Sequence, residues 1–219
     1  LDIKKSVSAI FEIKPGITFI TTPNNPTGTS TPYADLEKLA IACSEVKGLL
    51  VVDEAYAEFS QEKSAVNLIE QYPNVVVVRT MSKAFAFAGA RVGYAVCNQA
   101  IVDAMLVTRL PYHLSSTTQA LALVALDNSK SLLAEVDALI AERDRVATQL
   151  TKLGFEVSPS SANFLLFRGF KGDSKSAWES LVATGILVRD VGLTGYLRVT
   201  IGLPSENDEF LTAIAALRS

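Results

Sequence analysis

Short apolar runs alternate with polar stretches of helical period through the first hundred residues. The runs "ITFIT" (17–21), "LLVV" (49–52), "VVVV" (75–78) and "VGYAV" (92–96) are rich in β-branched residues and apolar on both faces. That pattern predicts strands buried within a sheet. Between the first two, Leu36, Leu39, Ala40 and Cys43 recur at i, i+3, i+4 and i+7, which predicts a helix with one buried face, capped by Thr31 and with Pro32 in its first turn. The opening "DIKKSVSAIFEIKPG" reads as a helix already under way toward a strand. Strand, helix and strand in this order imply right-handed crossovers and a largely parallel sheet, hence an α/β fold.

From about residue 99 the period becomes helical. The longest case, 131 to 153, places Leu133, Val136, Leu139, Ile140, Val146, Ala147 and Leu150 on one side, with Gly154 as its stop. Helices of this length often link two domains. "NFLLF", a helix around Trp178, "ILVRD", "YLRVTIG" and a last helix that Ser205 caps after Pro204 follow, an α+β pattern. The chain therefore divides into a large α/β domain, 1–128, and a linking helix with a small α+β C-terminal domain, 129–219.

Composition narrows the classes of function. The 219 residues are 49% hydrophobic, enough for a substantial core, and carry a net charge of −3. Lys and Arg are scattered, which argues against nucleic acid and membrane surfaces as partners. Cys43 and Cys97 are far apart and His113 is the single histidine, so no zinc motif or disulfide framework is expected. His113, in "RLPYHLSS", reads as part of a loop entering a helix near Ser116. No apolar run approaches the roughly 18 residues of a membrane span, and no signal peptide opens the chain, so a cytoplasmic location is expected. The first residue is Leu1 rather than Met, as expected of a fragment.

In an open parallel sheet, ligands collect beyond the carboxyl ends of the strands. Those ends are unusually polar here: "TPNNPTG" follows the first strand, "DEAY" the second and "RTMSK" the third. Each has a bland reading. Asn24, Asn25, Pro26 and Gly28 are ordinary turn residues, Asp53 and Glu54 suit a cap or a strand end, and Lys83 is either a solvated strand end or a nucleophile. Carboxylates so near a core usually need a partner. If Lys83 is largely buried near other cations, its ammonium form is disfavoured and its amine is prepared to bond an aldehyde. A lysine, a carboxylate, hydrogen-bond donors, and Arg91 with the Thr80 and Ser82 hydroxyls together meet the demands of pyridoxal 5′-phosphate.

"NNPTG", "DEAY" and "SKAFAFAGARVGY", in this order and at these intervals, resemble the fold-type I aminotransferases of class I/II. The resemblance covers essentially the whole chain, and "RLPYHLS" with the "LVRD" and "LRVTIG" pair is most similar to members that act on histidinol phosphate. It implies that Lys83 is the Schiff-base lysine and proton shuttle and that Asp53 keeps the pyridine nitrogen protonated. Asn25 and Tyr56 would bond the ring oxygen, while Thr80, Ser82 and Arg91 grip the phosphate. Arg198 would receive the substrate carboxylate, with Arg189 as an additional arginine for a phosphate ester. The alternative for this pair is two surface-strand arginines in weak ion pairs. Asn163, in "SANFLLF", either borders the substrate pocket or is a strand-edge residue.

The implied reaction exchanges histidinol phosphate and 2-oxoglutarate for imidazole acetol phosphate and glutamate, in a homodimer. The alternatives are an aromatic amino acid aminotransferase, a decarboxylase of threonine phosphate using the same cofactor, and a non-catalytic fragment. Such enzymes run longer upstream, where a glycine-containing turn holds the phosphate and an aromatic stacks on the cofactor ring. Only 24 residues precede Asn25, so that part of the cofactor-binding domain is expected to be missing, leaving a sheet edge and apolar helix faces uncovered.

Overall fold

The structure, a computed structural model, describes residues 1–217. Two compact units emerge: residues 1–23 with 30–133, and residues 24–29 with the chain from 134 onward.

The first unit runs α1 (Ile3–Ile13), β1 (Ile17–Thr21), α2 (Tyr33–Glu45), β2 (Leu49–Asp53), β3 (Val75–Thr80), β4 (Gly93–Cys97), α3 (Gln99–Thr108) and α4 (Ser116–Asp127), with short 3₁₀ turns at Ala57–Phe59, Ala65–Leu68 and Ala88–Ala90. Its sheet has the order β1-β2-β3-β4. The first three strands are parallel and β4 is antiparallel to β3. The reversal is local: the Met81 N–H bonds the Val92 carbonyl at 3.1 Å, so the chain folds straight back without a crossover helix. The predicted α/β class and largely parallel sheet are present.

Ile10 of α1, Leu36, Leu39 and Cys43 of α2, Leu50 and Val52 of β2, and Val75 and Val77 of β3 form one buried cluster. Alternation along the strands explains the choice, since residues two apart share a face. The other face is less covered. On β1, Ile17 and Phe19 are exposed, Phe19 by 72%, and β4 is open along most of its length. Burial of both faces, expected for all four strands, is met by Val75–Val77 of β3; β2 is buried at Leu50 and Val52 but only partly at Leu49 and Val51, and β1 and β4 are exposed at Ile17, Phe19 and Gly93–Ala95.

Helix starts also differ from expectation. Asp2 caps α1 by accepting the Lys5 N–H, so that helix begins inside the chain. Thr31 does not cap α2. Its N–H donates to Thr22 Oγ1 at 2.8 Å, and the Pro32 carbonyl accepts the first helical amides.

The second unit contains most of α5 (Ser129–Lys152), then β5 (Glu156–Val157), β6 (Phe164–Arg168), α6 (Ser174–Ala183), β7 (Tyr196–Thr200) and α7 (Pro204–Ala216). The three strands form an antiparallel sheet in sequence order. Val146 and Leu150 of α5, Leu165 and Phe167 of β6, Leu197 and Val199 of β7, Leu181 of α6, and Phe210 and Ile214 of α7 close its core. Phe167 meets Phe155 edge-on with ring centroids 5.4 Å apart, a favoured aromatic geometry. Gly154, at φ +83°, ends α5 as predicted, letting the Phe155 N–H reach the Leu150 carbonyl at 3.0 Å. α7 starts at Pro204, but Ser205 does not cap it; the Glu206 carboxylate reaches back to the Leu203 N–H at 2.8 Å.

α5 and α7 are tied by polar groups. Glu142 accepts from Arg145 and from Asn207, each at 2.9 Å, and Arg145 also meets Asp208 at 2.8 Å. These hydrogen bonds, Arg145 first, hold the Glu142 carboxyl below the usual carboxylate range.

Candidate functional site

The register places Thr21 beside Asp53 and Asp53 beside Val78, so the carboxyl ends of β1, β2 and β3 lie in line. Backbone bonds continue this alignment past the strands. The Thr22 N–H donates to the Asp53 carbonyl and the Glu54 N–H to the Val78 carbonyl, both at 2.9 Å. Asp53 is half-buried, and one carboxylate oxygen accepts the Ala55 N–H at 3.0 Å. Tyr56 is buried, and the Lys83 ammonium lies 5.5 Å from its ring centroid, within cation–π range. Among the described residues no carboxylate pairs with Lys83. Lys83 is exposed, contrary to the largely buried position expected of it, because it stands in a turn closed by the Ala86 N–H and the Lys83 carbonyl.

The Thr80 hydroxyl contacts the Ser82 hydroxyl at 2.8 Å and accepts the Ser82 N–H at 3.1 Å, fixing two hydroxyls at the end of β3. Arg91 follows the Ala88–Ala90 turn with a left-handed backbone, φ 56°, and is exposed, its guanidinium donating to the Ala88 carbonyl at 3.1 Å. The first unit thus gathers an amine, a carboxylate, a buried phenol and two hydroxyls around aligned strand ends, with Arg91 a short turn further on. This donor set fits pyridoxal phosphate: an amine for its aldehyde, an acid for its ring nitrogen, and hydroxyls with a cation for its phosphate.

Glu54 has a partner that the sequence does not name. Glu54, just past the end of β2, is buried, and its side chain bonds Arg79, the residue after Val78, which pairs with Asp53. Its carboxylate accepts from Arg79 Nη2 at 2.7 Å, Arg79 Nε at 3.1 Å, Ser64 Oγ at 2.8 Å and the Ala65 N–H at 2.6 Å. Arg79 also approaches Glu58 at 3.4 Å. Burial pushes the Glu58 carboxyl up, and the Arg79 charge only partly offsets it. One signal was available in the sequence: an arginine ending a valine run, where a buried charge demands a counter-charge.

The remaining candidates belong to the second unit. Its 24–29 segment is a tight turn, with the Asn24 N–H bonded to the Thr29 carbonyl at 2.8 Å, and it is fastened by the Ser161 N–H on the Gly28 carbonyl at 2.7 Å. Gly28 has φ +79°, and a Cβ there would run into the Ser160 side chain, so both conformation and space require glycine. Asn25, in this turn, accepts a hydrogen bond from the Arg198 guanidinium through its side-chain oxygen. Asn25 and Tyr56, expected to share one oxygen of the cofactor, therefore fall in different units.

The Arg198 guanidinium lies 4.7 Å from the Phe164 ring centroid. Arg189 exchanges both backbone bonds with Arg198, at 2.8 and 2.9 Å, as an isolated antiparallel bridge. Directly opposed residues project to the same face, so two arginines stand side by side. Like charges so placed repel, and an anion between them would relieve the repulsion. Asn163 immediately precedes β6, and its carbonyl accepts the Ile201 N–H at 2.9 Å, extending the β6–β7 pairing. His113 lies in the exposed loop before α4, near Arg109, as anticipated. Among the described residues there is no cluster that could hold a metal ion, and no helix is long and apolar enough to cross a membrane.

The fold and these strand-end groups define the class of protein as an α/β chain with a largely parallel sheet and a cluster of polar groups at its strand ends. Comparison identifies the family: residues 1–214 match aminotransferase class I and II, and the chain belongs to it. Over 218 residues, 99% of the chain, it is 53% identical to the histidinol-phosphate aminotransferase of Mycolicibacterium smegmatis, covering 57% of that protein. The chain thus spans little more than half the length of this curated relative. Among solved structures, the histidinol-phosphate aminotransferase of Clostridium acetobutylicum superposes with a TM-score of 0.92 at 26% identity, over 100% of this chain and 68% of that one. The Sinorhizobium meliloti histidinol-phosphate aminotransferase, in complex with pyridoxal-5′-phosphate, gives 0.87 at 26% identity, over 99% and 61%.

Proposed function

We propose that this chain carries the lysine-bearing part of a pyridoxal-phosphate-dependent transaminase that interconverts L-histidinol phosphate and 2-oxoglutarate with imidazole acetol phosphate and glutamate, a step of histidine biosynthesis. The observation that carries the reading is the meeting of Lys83 with Tyr56 beside the aligned end of β2, where Asp53 stands. The relatives described above support the choice of substrate. In this reading the first unit is the partial cofactor-binding domain and the second the small C-terminal domain.

When bound, pyridoxal phosphate supplies an electron sink for charge that develops at the substrate Cα. With that group bound, Lys83 Nζ would be the residue that bonds its aldehyde and the base that moves a proton between the substrate Cα and the cofactor. Asp53 would hold a proton at the ring nitrogen, which strengthens the sink. Tyr56 and Asn25 would bond the ring oxygen, and Thr80, Ser82 and Arg91 would hold the phosphate. Arg198 and Arg189 receive the substrate's anionic end, a phosphate ester in one half-reaction and a carboxylate in the other, and their placement on one face supports this. Asn163 borders the substrate.

We also infer a cytoplasmic location, in keeping with a biosynthetic enzyme family, and a homodimer, supported by exposed apolar residues on and after α3 and on α4, among them Val107, Leu110, Tyr112 and Leu123. Sedimentation at a single-chain mass would remove the dimer.

The decisive assay mixes the protein, pyridoxal phosphate, histidinol phosphate and 2-oxoglutarate and measures glutamate. Stoichiometric glutamate is expected. Carbon dioxide released from threonine phosphate, with no glutamate from histidinol phosphate, would overturn the assignment.

A further inference from the structure

Glu54 and Arg79 have no part in the chemistry above, yet they form the most heavily bonded buried charge pair in the first unit. Their position is informative. Glu54 immediately follows Asp53 at the end of β2, and Arg79 immediately precedes Thr80 at the end of β3. Because side chains alternate along a strand and registered neighbours share a face, Asp53, Val78 and Thr80 lie on one face while Glu54 and Arg79 lie on the other. The pair joins the two strands behind the candidate cofactor groups, beyond the last registered pair of the β2–β3 ladder, Asp53 with Val78. Ser64 and the Ala65 N–H fill the remaining acceptor positions of Glu54, which fixes its orientation.

We propose that the Glu54–Arg79 ion pair is a positioning clamp that sets the separation between Asp53, which holds the ring end of the cofactor, and the Thr80 and Ser82 hydroxyls, which hold its phosphate end. The inference rests on the assignment of those residues to pyridoxal phosphate. Neither Glu54 nor Arg79 touches the cofactor; they act through the backbone of the residues beside them. A ligand that engages both ends at once gains from a fixed separation, as any two-point binder does, whereas a ligand using one end gains little.

The clamp is tested by titrating wild type, Glu54→Gln and the double variant Glu54→Gln/Arg79→Met with pyridoxal phosphate and with pyridoxal, which lacks the phosphate. The double variant removes both charges of the pair, so Arg79 is not left without Glu54 should the single variant fold poorly, although Glu58, 3.4 Å from Arg79, then loses that cation. Affinity for pyridoxal phosphate is expected to fall about tenfold in each variant and that for pyridoxal less than about twofold. Amide exchange without cofactor gives a second reading: the Glu54 N–H is expected to exchange about tenfold faster, with Val51 and Val77 unchanged. Equal weakening of both ligands would show a general structural role and refute the clamp, as would unchanged affinity or unchanged exchange at Glu54. Failure of the wild type to give a borohydride-reducible adduct would overturn the cofactor assignment itself, and the clamp with it.

Discussion

The two units bury their sheets differently. In the second, helices α5, α6 and α7 close over β6 and β7, and Phe167 sits fully enclosed among other aromatic rings. In the first, α1 and α2 pack the Leu50 and Val77 face, while Phe19 on the outer strand remains mostly in solvent. The polar residues differ in step. Asn25 and Arg198 in the second unit bond each other side chain to side chain, whereas Arg91 in the first bonds a backbone carbonyl, although Asn25, Lys83 and Arg91 are all exposed. An apolar sequence run reports that a face will be unfavourable in water, but it does not report which segment covers it.

The largest effect expected from disturbing this contrast is chemical. Lys83→Ala should abolish borohydride trapping of the cofactor and lower transamination by about 10⁴-fold, the upper range for a proton-transferring group. Being exposed, Lys83 can be replaced with a stability change within about 0.5 kcal/mol, read by denaturant melts. A normal rate would remove Lys83 from the mechanism.

The next effect is on packing. Phe167→Ala should cost about 3 to 5 kcal/mol, since it empties a closed core. Phe19→Ala, in contrast, should change stability by less than about 0.5 kcal/mol. Similar losses for the two would mean that the outer face of β1 is covered in solution.

A smaller effect involves substrate choice. Arg189→Ala should raise KM for histidinol phosphate about tenfold, a loss of about 1.4 kcal/mol, and change that for an unphosphorylated aromatic amine far less. Equal changes would detach Arg189 from phosphate.

The smallest is a pH effect confined to the second unit. The folded Glu142 carboxyl titrates below its unfolded value, so its contribution to stability is present above the usual carboxylate range and disappears as pH falls through the lowered value. Glu142→Gln should flatten the acid limb of a stability–pH curve, and an unchanged limb would discount the Arg145 and Asn207 contacts.

Much of the fold was legible because its signals are local. Leu36, Leu39, Ala40 and Cys43 are buried at the spacing read from the chain, and the "DEAY" and "RTMSK" segments do stand at aligned strand ends. What could not be read depends on distant partners. Thr31 fails as a cap because α2 starts one residue further on, with Pro32 in the cap position, Asn25 joins the second unit because Gly28 fits against Ser160, and Glu54 finds Arg79 from the next strand. The side-by-side placement of Arg189 and Arg198 likewise needs a strand bridge that no spacing rule specifies.

The position of the 24–29 turn has a consequence for synthesis. These residues leave the ribosome well before Ser160, Ser161 and Arg198, which hold the turn and are added more than a hundred residues later. At bacterial or eukaryotic elongation rates that interval is on the order of ten seconds. Throughout it the loop between β1 and α2 must wait without its partners, while the rest of the first unit, which extends to residue 133, is made before the first of them.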